Sequence, residues 1–382
     1  MTSIRFWLLS LATLILSGCS WAHTYPQTES FIVYPNTDPA KVASAFVDAN
    51  GTFYPSQWCQ HLGRCRPLGG PRRWKSESLL AEAYARRERD SAFRDLIERE
   101  EARQLADFKA FGSNKSRIFI LIHGFNDRPD EVAAPYTAIE QMLDLRPTDG
   151  VIRFYWDGLT ANGVGPVKIW FKAVSSSQLA GERGLRRILE QFDGKDIYLI
   201  SHSRGASVIL SAIGDPIYPT KFRSDLTNAA AAWGHGDTLF DNPPLPRGNR
   251  LHVLMLAPAV GRVDFCDARE EGRVNEKRAC TLLRPLDPVV SLLYTVNIDD
   301  PVLHKFVGLQ YRLNPTTLGS EPQVGRAIAD ELPNLNMRQY FTDPPRVEHS
   351  FCTYVLDATF VRMLRDEKIL KEPPVTPSCT RG

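Results

Sequence analysis

The chain has 382 residues, 43% of them hydrophobic and 24% charged, with a formal net charge of +2. That is ample for one sizeable core, and the mixed, nearly neutral surface gives no reason to expect nucleic acid as a partner. Arginine pairs at 72–73, 86–87 and 186–187 read as solvated faces, with contacts to anionic lipid heads as the second option.

Residues 1–5 form a short basic start and residues 6–16 an apolar stretch too short to remain as a spanning helix. The stretch ends in Leu16-Ser17-Gly18-Cys19, which resembles the bacterial lipoprotein signal. That resemblance implies removal of residues 1–18 and acylation of Cys19 with diacylglycerol and a further chain such as palmitate, and each buried methylene adds about 0.8 kcal/mol to the anchor. Ser20 favours outer-membrane sorting in a Gram-negative host, so the expected location is the bacterial cell envelope, on the periplasmic face of the outer membrane. An ordinary signal cut after Ala22, releasing the chain, is the alternative.

Residues 19–75 carry Pro26, Pro35, Pro39, Pro55, Pro67 and Pro71 and read as a tether with an irregular extension. Residues 76–114 form the next segment. From 76 to 111 it lacks proline and glycine and places Leu79, Leu80, Ala83 and Tyr84, then Phe93, Leu96 and Ile97, then Leu105 and Phe108 on repeating faces. The spacing predicts one long amphipathic helix or two. Its expected role is packing against the body of the protein at 115–382, with an in-plane membrane helix as the other option.

The body opens with the apolar run 117–122, a buried strand of a parallel sheet, followed by His123-Gly124-Phe125-Asn126. A helix at 131–143, a strand at 151–156 and a helix at 178–192 lead to the run Ile197-Tyr198-Leu199-Ile200. Strands and helices alternate as an open parallel sheet requires. Next comes Ser201-His202-Ser203-Arg204-Gly205, and then Ala206-Ser207-Val208-Ile209-Leu210. This reads as strand, sharp turn and helix with a serine at the turn, the way a hydrolase presents a nucleophile. Small residues are needed two places either side of Ser203, although serine stands where the usual pattern has glycine. In such a site the backbone N–H groups of Phe125 and Arg204 would form the oxyanion hole, and His123 would pack or hydrogen-bond under its loop. Between 214 and 250 lies an insertion whose Phe222, Leu226, Trp233, Leu239 and Phe240 would line an acyl pocket or serve as packing.

Chain order then points downstream for acid and base. The run 289–296 reads as a strand, and the loop after it holds Asp299 and Asp300. Asp300 is the first choice for the acid that orients the base and Asp299 the alternative, with Asp264 behind them and helix capping as the other role for Asp299. His235 and His252 precede the acid and read as structural. His304 follows it too closely. His349 remains as the base, after a last strand near 336–341 and a turn at 342–345.

Four blocks, His123-Gly124-Phe125-Asn126, Ser201 to Gly205, Asp300-Pro301-Val302-Leu303 and His349-Ser350-Phe351, resemble those of a bacterial α/β-hydrolase family of unknown function, and more distantly lipases and esterases. The resemblance spans about 115–365. It implies an α/β-hydrolase fold with a mostly parallel, doubly wound sheet flanked by helices, to which this chain adds the N-terminal helical extension and the insertion after the nucleophile helix. It also implies a serine hydrolase carrying Ser203, Asp300 and His349 and needing no cofactor. The leading reaction is cleavage of carboxylic esters, including lipid esters, and thioester or amide cleavage needs the same constellation. A lipid-anchored scaffold that binds an envelope partner without chemistry is the second class. The six cysteines other than Cys19 suit an oxidising compartment. Pairing neighbours gives Cys59 with Cys65, Cys266 with Cys280 and Cys352 with Cys379, while a metal site lacks its usual short spacings.

Overall fold

The computed structural model describes residues 21–22, 38, 40–55, 91–127, 129–161, 176–217, 245–246, 248–261, 265–266, 280–282, 289–304, 317–331, 336–343 and 345–379. Its centre is a seven-stranded sheet. In chain order the strands are β1 (Val42–Val47), β2 (Arg117–Ile122), β3 (Asp149–Trp156), β4 (Asp196–His202), β5 (Arg250–Leu256), β6 (Val289–Val296) and β7 (Met337–Phe341). In space they run β7-β6-β5-β4-β2-β3-β1, every neighbour parallel.

The sheet is buried on both faces, and the apolar runs of the sequence divide between them by parity. Phe119, Leu121, Ile200, Leu254 and Leu293 join one core, and Ile118, Ile120, Leu199, Val253 and Leu292 the other. Period-two side-chain alternation in a strand covered on each side requires apolar residues at consecutive positions, which is why β2 reads as an unbroken hydrophobic run. The first core is closed by α2 (Pro129–Met142), α7 (Phe351–Val355) and α8 (Ala358–Asp366). The second is closed by α3 (Arg186–Leu189), which continues a π turn at Ala180–Leu185, by α4 (Gly205–Ile213) and by α6 (Pro322–Glu331). A short α5 (Pro301–His304) follows β6.

Helix α1 (Ser91–Ser113) lies within the expected helical segment. It contributes Ile97 to one core and Leu105 and Phe108 to the other, and Glu101 pairs with Arg187 of α3. Packing is therefore its role over these residues. Among the described residues no helix is long and apolar enough to cross a membrane.

Two features depart from the sequence reading. The segment 19–75, read as tether and irregular extension, supplies edge strand β1, paired with β3 from Val42 to Val47. Its sequence Val-Ala-Ser-Ala-Phe-Val is rich in small residues of low strand preference, so the pairing is set by burial of Ala45, Phe46 and Val47 rather than by local propensity. Asp215–Ile217, Phe265–Cys266 and Cys280–Leu282 form a separate three-stranded sheet, so the insertion after α4 and the chain before β6 pair with each other. The pocket candidates Phe222, Leu226, Trp233, Leu239 and Phe240 lie outside the described residues, as do Cys19, Cys59, Cys65, His235 and Asp264 and the side chains of Cys266 and Cys280. Cys352 and Cys379 form the expected disulfide, with Cα atoms 5.4 Å apart.

Candidate active site

Strand order sets the place of the site. From β2 the chain leaves toward β3, and from β4 it leaves toward β5 on the opposite side. The loops after β2 and β4 therefore diverge at the carboxyl ends of two adjacent strands, and such a switch point opens a crevice. One loop begins His123-Gly124-Phe125 and the other holds Ser203.

Ser203 has φ +52°, a left-handed conformation that a non-glycine residue adopts only when its surroundings hold it there. Its N–H donates to the Leu256 carbonyl of β5 at 2.9 Å, and its carbonyl accepts from Ala259 N at 3.0 Å and Ala206 N at 3.2 Å. The turn is therefore clamped from both sides. Helix α4 starts against β2, where a Cβ on Gly205 would lie 2.6 Å from the His123 carbonyl oxygen, so only glycine fits. A Cβ on Gly124 would come within 2.9 Å of Ser203 Cβ, and this lets the loop after β2 close onto the serine. Ser201, at the place where glycine is usual, is buried, and its Oγ has no hydrogen-bond partner among the described residues.

His349 Nε2 lies 2.8 Å from Ser203 Oγ, and its Nδ1 lies 2.6 Å from Asp300 Oδ2. The three residues are brought together across sequence separations of 146 and 49 residues. Asp300, fully buried, also caps α5. Its Oδ1 accepts from Val302 N at 2.9 Å and Leu303 N at 3.0 Å, with Pro301 at the first helical position. Burial pushes the Asp300 carboxyl upward, but hydrogen bonds from His349, Tyr354 and Leu303 together with the charge of His349 outweigh it and hold the group below its ordinary value. Asp299 is exposed, and its N–H donates to Asn297 Oδ1 at 3.3 Å. Among the two adjacent carboxylates, Asp300 is the one beside the histidine.

The loop after β2 is held from below. His123 is fully buried, and burial lowers its pKa to about 4. Trp156 N–H donates to His123 Nε2 at 3.2 Å, which leaves Nδ1 to donate to the Gly124 carbonyl at 2.7 Å. This is a neutral ring in one tautomer, bonded under its loop as the sequence suggested. Asn126 N–H donates to the Gly158 carbonyl at 3.3 Å, and Asp127 Oδ2 accepts from Gly124 N at 3.1 Å. The Gly124–Phe125 peptide therefore sits fixed beside Ser203. Arg204 turns its buried side chain away from the crevice, donating from Nη1 to the Ala259 carbonyl at 2.8 Å and from Nε to Ser177 Oγ at 3.2 Å. Its backbone stands at the N-cap of α4.

Two residues around this cluster, Tyr354 and Asn297, were not singled out from sequence. Tyr354 donates its hydroxyl proton to Asp300 Oδ2 at 2.5 Å, and Asn297 Nδ2 donates to the Tyr354 oxygen at 2.8 Å. Phe351 stacks on His202 with ring centroids 4.7 Å apart, and the His202 ring is 4.9 Å from that of His349. The only sequence hint was position. Asn297 lies three residues before Asp300, and Tyr354 lies in the helix after His349, but asparagine and tyrosine at such places are too common to stand out.

A hydroxyl, an imidazole bridging it to a buried carboxylate, and two backbone segments at a sheet switch point can support attack of Ser203 Oγ on an electrophilic carbonyl. No curated protein matches the chain. A family model described as an alpha/beta hydrolase of unknown function matches residues 98–225, which include the loop after β2 and the Ser203 turn but not Asp300 or His349. That match and the seven-stranded, all-parallel sheet flanked by helices fit an α/β-hydrolase fold.

Proposed function

We propose that the chain is a serine hydrolase that cleaves carboxylic esters, lipid esters among them, through Ser203, His349 and Asp300. The observation that carries this reading is the single imidazole bonded through Nε2 to Ser203 and through Nδ1 to Asp300. In the first half-reaction His349 Nε2 accepts the Ser203 proton as Oγ bonds to the ester carbonyl carbon. The oxyanion then faces the N–H groups of Phe125 and Arg204, and the Asp300 charge steadies the imidazolium. The C–O bond to the alcohol breaks as His349 returns the proton to that oxygen, leaving an acyl-Ser203. In the second half, water loses a proton to His349 and attacks the acyl carbon, and the carboxylic acid leaves as Ser203 regains its proton.

Labelling with a fluorophosphonate, followed by hydrolysis of a panel of esters of different chain length, tests the reading. Ser203→Ala should abolish labelling and lower turnover by about three orders of magnitude or more with folding intact. Equal labelling of both proteins, or none of the wild type, would defeat it. The sequence Leu16-Ser17-Gly18-Cys19 supports a second part of the proposal, that acylated Cys19 holds the enzyme at the membrane of the cell envelope. Cys19→Ser should then move the protein from the membrane to the soluble fraction, and an unchanged distribution would remove this part.

A further inference from the structure

The base of the cluster is more heavily bonded than catalysis by three residues requires. Asp300 Oδ2 receives two donors, His349 Nδ1 at 2.6 Å and the Tyr354 hydroxyl at 2.5 Å, while Oδ1 receives two backbone N–H groups. The direction of the phenol proton is fixed by Asn297. Its Oδ1 accepts from Arg346 N at 3.1 Å and Asp299 N at 3.3 Å, and its Nδ2 donates to the Arg346 carbonyl at 2.8 Å and to the Tyr354 oxygen at 2.8 Å. With both backbone groups of Arg346 satisfied in this way, the amide has one orientation, and flipping it would set oxygen against oxygen. A donor on the phenol oxygen leaves the phenol proton pointing to Asp300. Asn297, Asp300 and Tyr354 are fully buried, so water does not replace these bonds.

We propose that Tyr354 and Asn297 are positioning residues of the site: the phenol shares Asp300 Oδ2 with His349 and limits the carboxylate's hold on the imidazolium, and Asn297 aims the phenol proton while tying the acid loop to the base loop. Asn297 lies three residues before Asp300, and the Arg346 it grips lies three residues before His349. One side chain thus sets the spacing between the two loops that must meet. The inference rests on the serine-hydrolase reading for its catalytic meaning, but its effect on His349 is present in the resting protein.

The phenol draws part of the negative charge on Oδ2 into a second short hydrogen bond, so less of it attracts the protonated imidazole. Without the phenol, all of that charge would face His349 Nδ1. Burial, the Asp300 charge and the bond to Asp300 all push the Tyr354 phenol upward, so it stays protonated and a donor throughout the working range. Other ionisable groups near the pair among the described residues are His202 from the end of β4, whose ring is 4.9 Å from that of His349, and Arg346, Glu348 and Asp357 of the base loop and the turn after α7. Arg346 is paired with Asp357 at 2.8 Å, and Glu348 accepts from Thr353 Oγ1 at 2.7 Å. All of them are retained when Tyr354 is changed.

The experiment is a histidine-specific NMR titration of the full chain labelled with carbon-13 histidine, with His349→Gln used to assign the His349 signal. Tyr354→Phe removes one oxygen and keeps the ring, so the fold is preserved. It should raise the His349 pKa by about half a unit or more. It should also move the acidic limb of kcat/KM toward p-nitrophenyl acetate upward by the same amount, with KM unchanged. Asn297→Ala should move both in the same direction by less and lower kcat as well, because the loops separate. A His349 pKa in Tyr354→Phe equal to that of the wild type, with only the melting temperature altered, would make Tyr354 a packing residue and overturn the proposal. Failure of the hydrolase reading would be seen separately, as an unlabelled wild-type Ser203, and the titration would still decide the link between Tyr354 and His349.

Discussion

Among the described residues two histidines hold a carboxylate at hydrogen-bond distance with a serine beside them, one at each end of the sheet. At the carboxyl end, His349 binds Asp300 at 2.6 Å through Nδ1 and Ser203 at 2.8 Å through Nε2. Toward the amino end, His252 of β5 binds Glu367 at 2.7 Å, and Ser291 of β6 lies 3.3 Å away, both at Nδ1. His252 Nε2 is buried with no hydrogen-bond partner among the described residues, and the ring is stacked on Tyr198 at 4.5 Å. The residue types are nearly the same, but the second arrangement cannot relay a proton. Its serine and carboxylate compete for one nitrogen, whereas the first places them on opposite nitrogens. Ser291 is a strand residue in register with His252, while Ser203 is thrown forward by its left-handed turn. The two clusters differ in which ring nitrogen faces which group and in the backbone that exposes the Ser203 hydroxyl.

The largest expected effect tests that contrast directly. Ser203→Ala should remove about three orders of magnitude or more of turnover, and Ser291→Ala should leave turnover near wild type. Ester hydrolysis measured on both variants would break the comparison if Ser291→Ala were the more damaging.

A second difference between the ends is how they are pinned. Helix α7 carries Phe351, which stacks on His202, and Tyr354, which bonds Asp300, and Cys352 of that helix is joined to Cys379 across 27 residues. In the chain-entropy picture a loop of that length contributes about 3.5 kcal/mol. Cys379→Ser should therefore lower the unfolding free energy by about that amount and reduce turnover only a few-fold. The tail keeps other holds, the Lys371 N–H on the Met142 carbonyl at 2.8 Å and the bridge from Leu370 to Leu143. Hydrogen exchange should quicken around α7 and not at the amino end of β5. Uniform quickening across both ends would show that the disulfide supports the whole domain and not the site end in particular.

What could be read from the sequence follows the same division. The strands that carry the site are long, buried on both faces and apolar, so β2, β4 and β6 were legible with the loops that follow them. Asp300 and His349 could be put forward because chain order restricts where an acid and a base can return to the serine, and hydrogen bonds join Asp300 to His349 and His349 to Ser203 in the fold. Edge strand β1 was not legible, since Ala-Ser-Ala interrupts its strand formers within a proline-rich segment, and pairing with β3 holds it in place. Tyr354 and Asn297 were hidden for another reason. Their roles come from two loops meeting in space, and neither residue type announces a hydrogen bond to a carboxylate. Ser201 in place of glycine is tolerated because the close approach falls at Gly205 and Gly124, where an added Cβ would meet the His123 carbonyl oxygen or Ser203.

The smallest effect is expected at the amino end and bears on pH rather than rate. Burial pushes the Glu367 carboxyl upward, but hydrogen bonds from His252 and Ser291 and the charges of His252 and Arg338 outweigh it, so its folded value lies below its ordinary one. The residue also stands at the C-cap of α8, where the helix dipole opposes an anion, so the His252 bond has to exceed that cost too. A carboxyl depressed on folding contributes stability that is fully present above its unfolded pKa and is lost as pH falls through its folded pKa. Glu367→Gln should therefore melt at a lower temperature than the wild type at neutral pH, and the gap should close as the solution is taken down from about pH 5 toward pH 3. Asp300 titrates in the same direction in both proteins, so it drops out of the difference. Melting curves recorded across that range on the two proteins decide the point. A gap that stays constant would mean that the His252 pair acts by shape alone, and that the two ends of the sheet differ in charge as well as in geometry.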